Sequence, residues 1–174
     1  MFKNIDCKEV FPEVERPVVS YVNSKHFVFF NMTSRRLNRK SPYYMSIHAH
    51  TKKVIDYNSI IHLHYYELLT NQYKPTFVEF HIKMCDLQKD ELVIGASMVR
   101  ALEAMLKSMP PAERPTNSTK CPYPPGIYHL VNVSSPRSIL YKSFPFSRGR
   151  IFINVTMFQE LALILQVDLV IRNL

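Results

Sequence analysis

Alternation of apolar and polar residues at a period of two is the feature that most limits what this chain can fold into. The pattern recurs in short runs along most of the sequence, and a two-residue period puts alternate side chains on opposite faces of an extended strand. In "MSIHAHT" (45–51) Ile47 and Ala49 alternate with His48 and His50; in "IIHLHYY" (60–66) Ile61, Leu63 and Tyr65 alternate with His62 and His64. "TFVEFHIKMC" places Val78, Phe80, Ile82 and Met84 on one face and Glu79, His81 and Lys83 on the other. The clearest strand is "LALILQVDLVIR", with Leu161, Leu163, Leu165, Val167, Leu169 and Ile171 set against Gln166, Asp168 and Arg172. One core face and one wet face is the habit of antiparallel sheets. The fold expected is therefore mainly β, with 45–51 and 60–66 reading as the two arms of a hairpin centred near Asp56.

One segment departs from that period. "DELVIGASMVRALEAMLKS" (90–108) is rich in Ala, Leu, Met and Glu, and Ile94, Met98, Leu102, Met105 and Met109 recur at helical spacing. Asp90 can cap its start, and Pro110 and Pro111 end it. One α-helix is thus expected over about 90–108, inserted between a strand ending at Cys85 and a strand opened by Cys121. A bridge between those cysteines would anchor the helical excursion to the sheets. Cys7, the third cysteine, is left without an evident partner.

A length of 174 residues fits a single domain over 1–174. Hydrophobic residues make up 47% and charged residues 21%, which is globular composition, and no apolar run is long enough to span a bilayer as a helix. Three glycines against twelve prolines disfavour glycine-cradled phosphate sites. The formal charge of +8 raises the question of nucleic acid, yet basic residues bunch only at Arg35, Arg36, Arg39 and Lys40, which reads as a solvated loop. "RGRIFINV" (148–155) imitates an RNA-reading strand, but Arg150 and Val155 stand where base-stacking aromatics are required. No nucleic-acid partner is expected.

Compartment is better read from asparagines. Four sequons occur, at Asn31, Asn117, Asn132 and Asn154, where chance placement of the same residues gives roughly one. Secretion and glycosylation are expected. "MFKNIDCKEV" lacks the charged, apolar and small-residue regions of a signal peptide, so either the given chain starts late, with a leader upstream, or it is cytosolic.

Taken in order, "FKNIDC" (2–7), "FVEFHIKMC" leading into a helix, "CPYPPGIYHLVN" and "FPFSRGRIFINVTMF" resemble the landmarks of a large insect family of secreted proteins allied to ML lipid-recognition domains. That family includes chemosensory B-type proteins similar to the ganglioside activator protein. The resemblance covers nearly the whole chain. It implies an immunoglobulin-like, ML-type antiparallel β-sandwich, an extracellular location and an apolar ligand, a lipid or hydrocarbon, held between the sheets. It also implies chemosensation, with a membrane receptor as a further partner. The family usually carries another cysteine about a dozen residues after the position of Cys7, and an aromatic two residues after the position of Gly149; here the first is missing and the second is Ile151.

Such a fold acts by burial rather than reaction, since an acyl chain leaving water gains about 0.8 kcal/mol per buried CH₂. The wall is expected from Val28, Phe30, Ile47, Leu63, Phe80, Ile82, Ile153, Val155, Leu163 and Leu165, with Leu102 and Met105 from the helix. No cofactor and no catalytic group is expected: a cysteine with one of the seven histidines lacks any local device that fixes a nucleophile to its base. Two other readings stand beside the carrier. One is a sandwich used as a protein-interaction module with no lipid cavity. The other is a metal-binding surface, because the expected hairpin sets His48 opposite His64 and His50 opposite His62, and zinc or copper favours clustered imidazoles.

Overall fold

The computed structural model describes residues 10–39, 41–88, 103–105, 107, 120–134 and 146–173. Eight strands follow one another as β1 (Val10–Val22), β2 (Phe27–Arg36), β3 (Tyr43–Thr51), β4 (Ile60–Leu69), β5 (Gln72–Lys83), β6 (Gly126–Ser134), β7 (Arg148–Met157) and β8 (Glu160–Asn173). All pairings are antiparallel. They build a five-stranded sheet in the order β1-β8-β7-β4-β5 and a three-stranded sheet in the order β2-β3-β6. The two sheets stack as a β-sandwich, and alternation places its core: Leu163, Leu165, Val167, Val155 and Met157 from the larger sheet meet Phe27, Met32, Met45, Leu130 and Val133 from the smaller. The run 161–172 is indeed a strand, the longest of the eight.

Tight turns join β4 to β5 at Thr70 and Asn71, and β7 to β8 at Phe158 and Gln159. All four residues lie in the left-handed region, with φ between 46° and 63°, as two-residue hairpins demand. One side of the sandwich is closed where β1 meets β2: Ser34 Oγ donates to the Val14 carbonyl at 2.6 Å, and Arg36 Nη2 donates to Glu13 Oε2 at 2.6 Å. The other side brings the outer strands β5 and β6 to the same flank. There the disulfide Cys85–Cys121 ties the two sheets together. Beside it Ile55 and Tyr123 exchange two backbone hydrogen bonds of 2.9 Å.

Several expectations are corrected. Residues 45–51 and 60–66 are not arms of one hairpin: β3 pairs with β2 and β6, β4 with β5 and β7, and the two lie in different sheets. The link over 52–59 crosses the sandwich, and a period of two cannot tell a crossing from a turn. Val28 is not an inner residue. A register shift between Phe27 and Phe29 breaks the alternation, so Phe27 is buried while Val28 is 53% exposed. Arg36 is not in a solvated loop; it ends β2 and pairs with the buried Glu13, its guanidinium 4.4 Å above the Tyr43 ring. Arg35 also lies in β2, Arg39 is exposed, and Lys40 lies outside the described residues.

Asp168 was expected on a wet face and is instead buried, held by Arg150 Nε at 2.7 Å beside the Tyr73 ring. Cys85 sits in a 3₁₀ turn, Met84–Gln88, two residues past the end of β5, and Cys121 precedes β6 by five residues rather than opening it. The helix expected over 90–108 falls largely outside the described residues; within them, 103–105 and 107 are helical. Cys7, Leu102 and Asn117 also lie outside the described residues.

Candidate functional site

Two rows of apolar side chains cross the inner face of the five-stranded sheet. Register aligns Val19, Leu165, Ile153, Leu63 and Phe80 in one row and Val22, Leu163, Val155, Ile61 and Ile82 in the other. Burial changes along each row. Leu163, Leu165 and Val155 are buried, Ile153, Ile61, Leu63 and Ile82 are half-buried, and Phe80 on the outermost strand is 52% exposed. The cause is architectural: five strands face three, and the core formed with β2, β3 and β6 covers the larger sheet best at β7 and β8. The inner face thus runs from a dry interior to an apolar mouth at the β5 edge.

Opposite that mouth lies β6, the edge of the smaller sheet. Its Tyr128 and Leu130 face the core, in rows with Ala49 and Phe30 and with Ile47 and Met32. Met105 packs against the same core, and its thioether accepts the backbone N–H of His129 at 3.2 Å. A helical residue therefore occupies the outer hydrogen-bonding edge of β6 at that point, and a covered edge is protected from pairing with other chains. The β5 edge carries Phe80 and Ile82, and the chain enters the Cys85–Cys121 strap two residues beyond the end of β5.

Polar groups at the strap are buried with it. The Tyr123 and Tyr128 hydroxyls are both pushed up to about 12, chiefly by burial, and Tyr128 Oη donates to the Pro124 carbonyl. Burial also raises the Tyr65 hydroxyl, with Glu67 and Tyr73 adding to the effect. Desolvation disfavours the phenolate, so these groups stay neutral and supply no charge to the interior. A separate open hollow of about 550 Å³, lined by Tyr57, Asn58, Ile60, Lys83, Phe158 and Gln159, lies at the β7–β8 turn and shares no residue with the two rows.

Of the expected wall residues, Phe30, Ile47, Met105, Ile153, Val155, Leu163 and Leu165 come together in one core. Leu63, Phe80 and Ile82 continue its rows outward, and Val28 does not join. The three described sequon asparagines are all exposed: Asn31 on β2, Asn154 between the core residues Ile153 and Val155, and Asn132 at the register shift in β6 with φ 57°. The four imidazoles expected to face one another do not, because β3 and β4 are apart. His48 lies against His129 of β6, with ring centroids 3.8 Å apart, and His62 against His81 of β5. Among the described residues no group of three or more His, Cys, Asp or Glu is arranged to hold a metal ion. Nor is any helix there long and apolar enough to cross a membrane.

Sequence reasoning did not find the Glu13–Arg36 pair or the Arg150–Asp168–Tyr73 cluster. A glutamate in "FPEVERPVV" and an aspartate in "QVDLV" carry no local mark of partners 23 and 18 residues away. No family model matches the chain, and no curated protein matches it.

Proposed function

We propose that this protein is an extracellular, non-enzymatic carrier that holds a lipid or another long-chain apolar ligand between its two sheets, in an immunoglobulin-like sandwich of ML type. One observation carries the reading: the apolar rows Leu165–Ile153–Leu63–Phe80 and Leu163–Val155–Ile61–Ile82 continue unbroken from a buried core to an exposed strand edge. An acyl chain laid along them would extend the core outward and bury Phe80 and Ile82, with gain proportional to the apolar area removed from water. The residues at the mouth are apolar or neutral, so selectivity would rest on length and shape. Chemosensation and a membrane receptor enter the proposal through the family resemblance alone.

Secretion is supported by the disulfide, which persists in oxidising compartments, and by the exposure of Asn31, Asn132 and Asn154. The competing module reading is favoured by Phe77, 85% exposed on the same edge strand as Phe80, since an edge strand with exposed aromatics also suits strand addition by another chain. One experiment separates the two. Protein secreted from insect cells is extracted with organic solvent and the extract is examined by mass spectrometry. The carrier predicts a near-stoichiometric long-chain compound, whose return to stripped protein raises the melting temperature. Protein that is empty, and that gains no thermal stability from acyl ligands, would sink the carrier in favour of the module.

A further inference from the structure

The outer face of the five-stranded sheet carries a pair of imidazoles that the lipid reading does not use. His62 on β4 and His81 on β5 are directly cross-strand partners, and their Nδ1 atoms approach to 2.6 Å. On its far side, His81 Nε2 lies 3.2 Å from Glu79 Oε1. A carboxylate accepts but does not donate, so Nε2 of His81 carries a proton, and in the neutral ring its Nδ1 presents a lone pair. In the metal-free chain that lone pair accepts a hydrogen bond from His62 Nδ1–H.

We propose that His62 and His81 form a two-imidazole chelate for a late first-row divalent cation of the Cu²⁺ or Zn²⁺ class. The ion takes the place of the shared proton. That proton moves to Nε2 of His62, both rings stay neutral, and two Nδ1 lone pairs are left converging on one point. Metal–nitrogen bonds of about 2.0 to 2.1 Å require the two nitrogens to part by less than about 1 Å, a movement within reach of side-chain torsions on paired strands. Glu79 is placed as the carboxylate that commonly orients a ligating histidine from behind.

Surroundings favour a site that is open rather than caged. His81 and Glu79 are more than half exposed, so water can complete the coordination, as it must where no third protein donor joins the pair among the described residues. His64, two residues along the same face, is turned to the Thr76 carbonyl through Nε2 at 3.1 Å. The other histidine pair, His48 and His129, packs ring on ring with planes at 43°, and it supplies an internal comparison on the opposite sheet.

Cu²⁺ and Zn²⁺ are titrated separately into untagged, chelator-washed, full-length protein, with calorimetry for affinity and histidine NMR signals for location. The expected result is one equivalent bound, tighter for Cu²⁺ than for Zn²⁺, with Zn²⁺ shifting the ring signals of His62 and His81 and leaving those of His129 in place. His62→Gln and His81→Gln should each weaken binding at least tenfold, Glu79→Gln severalfold, and His129→Gln should leave it unchanged. Absence of saturable binding overturns the proposal, as does affinity that survives His81→Gln. The NMR location on unaltered protein decides the matter if a variant misfolds: shifts at His48 and His129 in place of His62 and His81 would refute it.

Discussion

Tyr65 closes over Gly149 with no room for a side chain between them. A Cβ at Gly149 would run into both the Tyr65 hydroxyl end and the Tyr66 carbonyl oxygen. Gly149→Ala is expected to destabilise the fold by about 1 to 3 kcal/mol through overpacking, read as a lower denaturant midpoint. Tyr65→Phe in the same chain should restore only part of that loss, because the Tyr66 carbonyl belongs to the backbone and cannot withdraw.

The strap at the mouth gives a second expectation. Cys85 and Cys121 are 36 residues apart in sequence, and closing a loop of that length restrains the unfolded chain by about 3 to 4 kcal/mol in the chain-entropy model. The double substitution Cys85→Ala with Cys121→Ala should lower unfolding stability by roughly that amount. Nonreducing peptide mapping should recover the Cys85–Cys121 pair; Cys7 joined to either one would contradict the structure.

Alkaline pH should loosen the same region. Tyr123 and Tyr128 are pushed up to about 12 by burial, so the folded chain holds their protons more tightly than the unfolded chain does. Their contribution is whole below the ordinary tyrosine value of 10 and is lost as pH rises from there through about 12. A tyrosinate absorbance titration should show late-titrating groups whose ionisation coincides with unfolding. Tyr123→Phe should shift that unfolding to higher pH.

Ligand uptake should respond to the mouth and ignore the basic cluster. Phe80→Asp or Ile82→Asp places a carboxylate against the bound chain and should weaken a fluorescent acyl probe about tenfold or more, with little change in circular dichroism because Phe80 is already half in water. The pair Arg35→Gln and Arg39→Gln should leave probe affinity unchanged. Arg36 is unsuitable for this comparison, since its loss also removes the 2.6 Å ion pair with the buried Glu13.

The strands themselves were legible wherever alternation ran clean. Leu163, Leu165, Ile153 and Val155 fall where a period of two puts them. What the sequence hid was pairing and slippage. "MSIHAHT" and "IIHLHYY" look alike as strands, and only the crossing link and the register of β6 and β7 decide that they belong to different sheets. A single bulge in β2 moved Val28 out and brought Phe27 in. The histidines show the same limit: His62, His64 and His81 were rightly given to outward faces, but which imidazole meets which depended on the partner strand. The half-exposed end of each apolar row could not be read at all, because it follows from five strands facing three.

The place of β8 between β1 and β7 also governs how this molecule can be made. β8 pairs with β1 on one side and β7 on the other, so the larger sheet stays split until a segment more than 135 residues downstream of β1 has left the ribosome. Until then β1 has no strand paired to it in its own sheet and β7 offers an open edge, so a nascent chain carries two unsatisfied templates at once. Non-local closure of this kind slows folding, and a stop between Met157 and Leu161 would leave not a smaller sandwich but a β1 strand without its sheet and a β7-β4-β5 fragment with an open edge.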